Sequence, residues 1–82
     1  MNKLHFINTK YGPAVVSNQS QEQIVYNEDG SVFDRFPAGL VIRWRANGFV
    51  EPKIKFVEGV FTSDFKSDND IVDYINNNNI LG

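Results

Sequence analysis

Apolar and polar positions alternate over short stretches along most of the chain, with turn-forming residues at intervals of roughly ten. Leu4, Phe6 and Ile7 open a first strand that ends before Tyr11–Gly12–Pro13, and Ala14–Val15–Val16 begins a second. The polar segment Ser17–Gln23 reads as a loop. Gln23–Ile24–Val25–Tyr26 and Ser31–Val32–Phe33 flank Asn27–Glu28–Asp29–Gly30, which predicts a hairpin whose turn takes its positive φ from Gly30. Leu40–Arg45 is the clearest strand, with Leu40, Ile42 and Trp44 on one face and Val41, Arg43 and Arg45 on the other.

Asn47–Gly48 then gives a strong two-residue hairpin signal, but its register poses a conflict. A two-residue loop there pairs Ile42 with Lys53 and sets lysines among apolar residues. Shifting by one residue sets Ile42 against Ile54 and Leu40 against Phe56, with Arg43 opposite Lys53. Because a one-residue slip turns every side chain to the other face, the apolar match is the expected register, with a bulge between Gly48 and Pro52. Glu58–Gly59 turns the chain into a last short strand at Val60–Phe61–Thr62.

The period then changes. Ile71, Val72 and Ile75 recur at helical spacing, Ser67 and Asp70 resemble a capping box, and Asp68 and Asp70 suit a helix N-terminus. The helix is expected at Asp68–Asn77, with Ile80–Leu81 folding back onto the sheet. The predicted fold is mainly β in an α+β sense: a curled or barrel-like antiparallel sheet of five to seven short strands with one C-terminal helix.

With 82 residues, one domain spanning 1–82 is expected, since two cores would each be too small. The chain has no cysteine, which excludes a disulfide scaffold and a cysteine-ligated zinc site. Its longest apolar runs are far too short for a membrane span. The opening residues lack the apolar stretch of a signal peptide, which predicts a protein not exported by that route. Ten asparagines, four of them at positions 76–79, read as surface and loop composition.

The chemistry-bearing residues point away from catalysis. His5 is the lone histidine, and no serine or threonine lies in a nucleophile-elbow context. Asp64, Asp68, Asn69, Asp70 and Asp73 are oxygen donors, but they lack the glycine and glutamate of an EF-hand loop, so capping and a solvated acidic face explain them. No enzyme activity, metal or cofactor is expected. In the apolar register Arg43, Arg45, Lys53 and Lys55 form a basic strip on one face of a hairpin, with Trp44 on the other. Such a strip fits phosphates, yet Glu51 lies opposite Arg45 and the pI is about 5.1, so nucleic acid is not the expected partner. Eleven aromatics exceed what so thin a core needs, which makes Phe33, Phe36, Trp44, Phe49, Phe61 and Phe65 candidates for a protein-binding surface.

Residues 56–64, Phe56–Val57–Glu58–Gly59–Val60–Phe61–Thr62–Ser63–Asp64, lead through Phe65–Lys66–Ser67 into the acidic helix start Asp68–Asn69–Asp70–Ile71–Val72–Asp73–Tyr74–Ile75. This stretch resembles a C-terminal pattern of small accessory proteins of tailed bacteriophages. The resemblance implies a non-enzymatic virion component of the head or head–tail region, located in the virion or the host cytoplasm. It would bind a phage structural or host protein, and an oligomer is compatible with it. The alternatives are a phage-encoded inhibitor of a host protein and, third, a single-strand nucleic-acid binder using the basic strip.

Overall fold

The computed structural model describes residues 3–45 and 52–81. Six strands are present among them: β1 (His5–Thr9), β2 (Gly12–Gln19), β3 (Gln23–Tyr26), β4 (Val32–Phe36), β5 (Gly39–Trp44) and β6 (Lys53–Glu58). A 3-10 turn (Thr62–Asp64) and one helix, α1 (Asp68–Asn77), complete the chain. The fold is thus antiparallel and mainly β with a C-terminal helix, as the sequence predicts, but it does not close into a barrel. Four strands form an open sheet in the order β1-β2-β5-β6, and β3 pairs only with β4.

The reason lies between β2 and β5. Gln19 and Gly39 face each other at the end of that pair, and Gln23 and Phe36 face each other just beyond. The two hairpins are one long ribbon broken at Ser20–Glu22 and Pro37–Ala38. Pro37 cannot donate to a ladder, so pairing stops there and the outer half leaves the sheet as an arm. The Gln19 side-chain amide bridges the break, donating to the carbonyls of Phe36 (3.0 Å) and Pro37 (3.4 Å). Since β3 and β4 leave the sheet, no strand among the described residues remains to close it.

Helix α1 covers one face of the four-stranded sheet. Ile71 and Ile75, one turn apart, are buried against Ile7, Ala14, Val16, Leu40, Ile42 and Trp44, with Ile80 and Leu81 packed alongside as expected. Ser67 caps the helix by accepting the Asp70 N–H. The asparagine run does more than fill surface. Asn76 Oδ1 accepts the Lys10 N–H at 2.9 Å, Asn78 donates to the Tyr74 carbonyl, and Asn79 takes φ +47° just past the cap, a position that tolerates Asn.

Three local expectations are corrected. The loop expected at Ser17–Gln23 shortens to Ser20–Glu22, because Ser17, Asn18 and Gln19 continue β2 against Val41, Leu40 and Gly39 and Gln23 opens β3. Val60–Phe61–Thr62 forms no strand. The Asn18 side-chain carbonyl accepts the Thr62 N–H (2.9 Å), and the Asp64 carboxylate accepts that of Phe61 (2.9 Å), so side chains take the backbone groups a strand would pair. The β5–β6 register is neither of the two weighed. Ile42 faces Lys55, Arg43 faces Ile54, Val41 faces Phe56 and Trp44 faces Lys53. The Gly39 backbone, at φ +145°, lies against the Val57 carbonyl, and Gly59 N–H donates to the Ala38 carbonyl at 3.0 Å. A side chain at position 39 would overlap the Val57 carbonyl, so the glycine is what admits this pairing at the strand end. The Asn47–Gly48 turn, the bulge placed between Gly48 and Pro52, and Glu51 opposite Arg45 lie outside the described residues.

Candidate functional site

The arm has no covered face. Every residue of β3 is exposed, as is all of β4 except Phe36. Ile24, Val25, Tyr26, Val32 and Phe33 therefore put five large apolar side chains into solvent, with Phe33 69% exposed. A lone two-stranded hairpin is marginal in water. Polar groups hold this one at both ends.

At its tip, Asn27 N–H donates to the Ser31 carbonyl (2.8 Å) and Gly30 N–H to the Asn27 carbonyl (3.0 Å), with Gly30 at φ +89° as the turn requires. Asp29 Oδ1 accepts both the Ser31 hydroxyl (2.6 Å) and the Ser31 N–H (2.9 Å). These bonds, the hydroxyl's first, hold the Asp29 carboxyl below its ordinary range. The sign follows from linkage: a carboxylate with a lowered folded pKa stabilises above its unfolded pKa and loses that contribution as pH falls through the folded one. The tip is expected to stay ordered at neutral pH and loosen below about pH 4, the usual carboxylate range. An NMR titration of the Ser31 amide checks this, and Asp29→Asn abolishes the transition.

At its root, Arg35 contacts Glu22 (2.6 Å) and Glu58 (3.0 Å), which ties the arm to the end of β6. The two carboxylates, Glu22 foremost, make the guanidinium still harder to deprotonate. Phe36 packs on Phe56 with ring centroids 5.2 Å apart. The arm is thus anchored while its apolar sides stay open.

The sheet face away from α1 is also open. Phe6, Val15, Arg43 and Ile54 form one row across all four strands. Phe6 and Ile54 are exposed, as are Arg43 and Arg45. Phe6, Pro13, Val15 and Arg45 line a hollow of about 290 Å³ on this face. A second hollow of about 390 Å³ lies where the face meets the arm root, between Val41, Arg43, Ile54, Phe56 and Gln23.

The aromatic candidates divide. Phe33 lies on the open arm; Phe36, Phe61 and Phe65 are half-buried, Phe65 against Tyr74 at 5.4 Å. Trp44 is a correction: it is buried, edge-on to Tyr11, with Nε1 donating to Thr9 Oγ1 at 3.0 Å, so it holds the core together. Phe49 lies outside the described residues. The basic strip is also corrected. The observed register puts Lys53 and Lys55 in line with Trp44 and Ile42 on the helix side, while Arg43 shares the open face with Ile54. The four cations do not form one strip.

Phe6, Ile54 and Tyr26 were not among the sequence candidates. The available signal was Ile24–Val25–Tyr26, consecutive apolar residues in a hairpin flanked by polar and proline breaks, with no other strand left to cover both sides. His5 binds Asp68 through Nδ1 at 2.7 Å and ties β1 to the helix start. Among the described residues, no group of three or more His, Asp or Glu could hold a metal ion, and no helix is long and apolar enough to cross a membrane. No protein-family model, curated protein or solved structure matches this chain.

Proposed function

We propose that the chain is a non-enzymatic protein-interaction component of a tailed phage, an accessory protein of the head or head–tail region of the virion. The observation that supports an interaction role is the arm. Five large apolar side chains stand in water on a ribbon wired at tip and root, and such surfaces mark interfaces when a fold does not use them internally. The likeness of residues 56–75 to phage accessory proteins supports the setting. A phage carrying Phe33→Asp is expected to yield virions with at least tenfold less of the chain by quantitative mass spectrometry, while the isolated variant melts like its parent. Absence of the parent chain from purified particles overturns the virion assignment. Unchanged incorporation of the variant overturns the arm's role.

A further inference from the structure

The arm and the open sheet face complement each other, and they belong to the same molecule. We infer that the arm's partner is a second copy of this chain: the acidic, apolar arm of one copy lies on the basic, apolar open face of another. This rests on the interaction role proposed above and supplies its partner.

Charge carries the first part of the argument. Residues 22–36 hold four carboxylates (Glu22, Glu28, Asp29, Asp34) and one guanidinium, Arg35, a net charge of -3. Arg35 is already engaged at the root by Glu22 and Glu58, so the outer arm presents Glu28, Asp29 and Asp34. The rows of the open face hold Arg43 and Arg45, and among the described residues their one carboxylate is Glu58, which Arg35 occupies. Two arms laid side by side would bring like charges together; an arm on the face brings opposite ones together.

Area carries the second part. The five side chains divide between the two sides of the ribbon, because successive strand residues such as Ile24 and Val25 point to opposite sides. An arm laid on a face therefore buries about half of their apolar surface, on the order of 250 Å². A typical interface is a little over half apolar, so one arm buries roughly 400 Å² in all, and a reciprocal pair, in which each copy gives an arm and a face, reaches roughly 800 Å² on each copy, one side of a standard interface. Length agrees as well: the arm strands have four and five residues, and the strands of the open face have five to eight. The hollow between Phe6, Pro13, Val15 and Arg45 offers an aromatic such as Phe33 a seat beside a guanidinium. Since each copy carries one arm and one face, the contact is satisfied twice in a reciprocal pair, and repeated head to tail it builds a ring or an open filament.

The test is sedimentation of the full chain at about 100 μM in about 0.05, 0.15 and 0.5 M salt, with Phe33→Asp as the arm variant and Arg43→Glu/Arg45→Glu as the face variant. These positions are exposed, and circular dichroism melts check that both variants fold. The parent is expected to associate, at least tenfold more weakly at the highest salt. Each variant alone is expected to be monomeric. Mixed, they are expected to form a 1:1 heterodimer, because one supplies an intact face and the other an intact arm. A parent that stays monomeric at low salt, or a mixture that does not associate, overturns the proposal. If the monomeric parent still requires Phe33 to enter virions, the interaction role stands and only the second copy is lost. Micromolar binding of labelled single-stranded DNA at about 0.15 M salt that the face variant abolishes assigns the face to nucleic acid and overturns the proposal as well.

Discussion

Gly39→Ala is expected to cost on the order of 3 kcal/mol or more, several times the cost of Gly12→Ala at about 1 kcal/mol. Both glycines have positive φ, +145° and +117°, so both substitutions carry backbone strain. They differ in what surrounds them. A Cβ at Gly12 meets open space, whereas one at Gly39 overlaps the Val57 carbonyl oxygen and approaches the Gly59 nitrogen at 3.0 Å. Neither atom can retreat cheaply. Val57 is in the β5–β6 ladder, and the Gly59 N–H is bonded to the Ala38 carbonyl. A chain of this size has a total stability of about 4–12 kcal/mol, so the loss is a large share of it and lowers Tm by roughly 12–24 °C. Thermal melts of the two variants separate the causes: equal losses would assign the effect to φ alone and remove the close approach as the register lock.

That lock explains why most strands and the β3–β4 hairpin are legible in the sequence while the β5–β6 pairing is not. Strand positions follow from local alternation and from Gly and Pro, and the helix from the Ser67 cap and the Ile71–Ile75 spacing; each needs only neighbouring residues. The β5–β6 register depends on a backbone contact between Gly39 and Val57, which no apolar pattern encodes. Matching Ile42 to Ile54 assumed that every apolar residue of an edge strand seeks the core, yet Ile54 lies on the face α1 does not cover. The error passed on to the basic strip, because one wrong step of pairing moved Arg43 to the side of Lys53. Of the aromatics that the composition singles out, Phe33 is exposed on the arm, Phe36, Phe61 and Phe65 are half-buried and Trp44 is buried. Trp44 misled because its indole found both a core and a hydroxyl: Thr9 Oγ1 donates to the Gly12 carbonyl while accepting from Tyr11 N–H and Trp44 Nε1. The sequence shows the hairpin and its Phe33 but not that the hairpin stands apart from the sheet, because its local pattern is that of any well-formed hairpin. Only its departure from the sheet at Pro37 leaves both sides in water.

Ile42→Ala and Ile54→Ala test the register directly, and their expected effects differ widely. Ile42 is fully buried under α1, packed with Val16, Leu40, Ile71 and Ile75. Its truncation removes three carbons' worth of transfer energy and leaves a cavity that a small sheet-and-helix core fills poorly, which costs about 3–4 kcal/mol. Ile54 is 56% exposed on the opposite face. Its truncation loses little burial, and the expected cost is about 0.5 kcal/mol, the range of ordinary surface changes. Urea midpoints of the two variants, with unchanged denaturant slopes, measure the difference. Similar losses at both positions would put the two isoleucines against each other in one core, restore Arg43 to the side of Lys53, and take away the basic face on which the arm is proposed to lie.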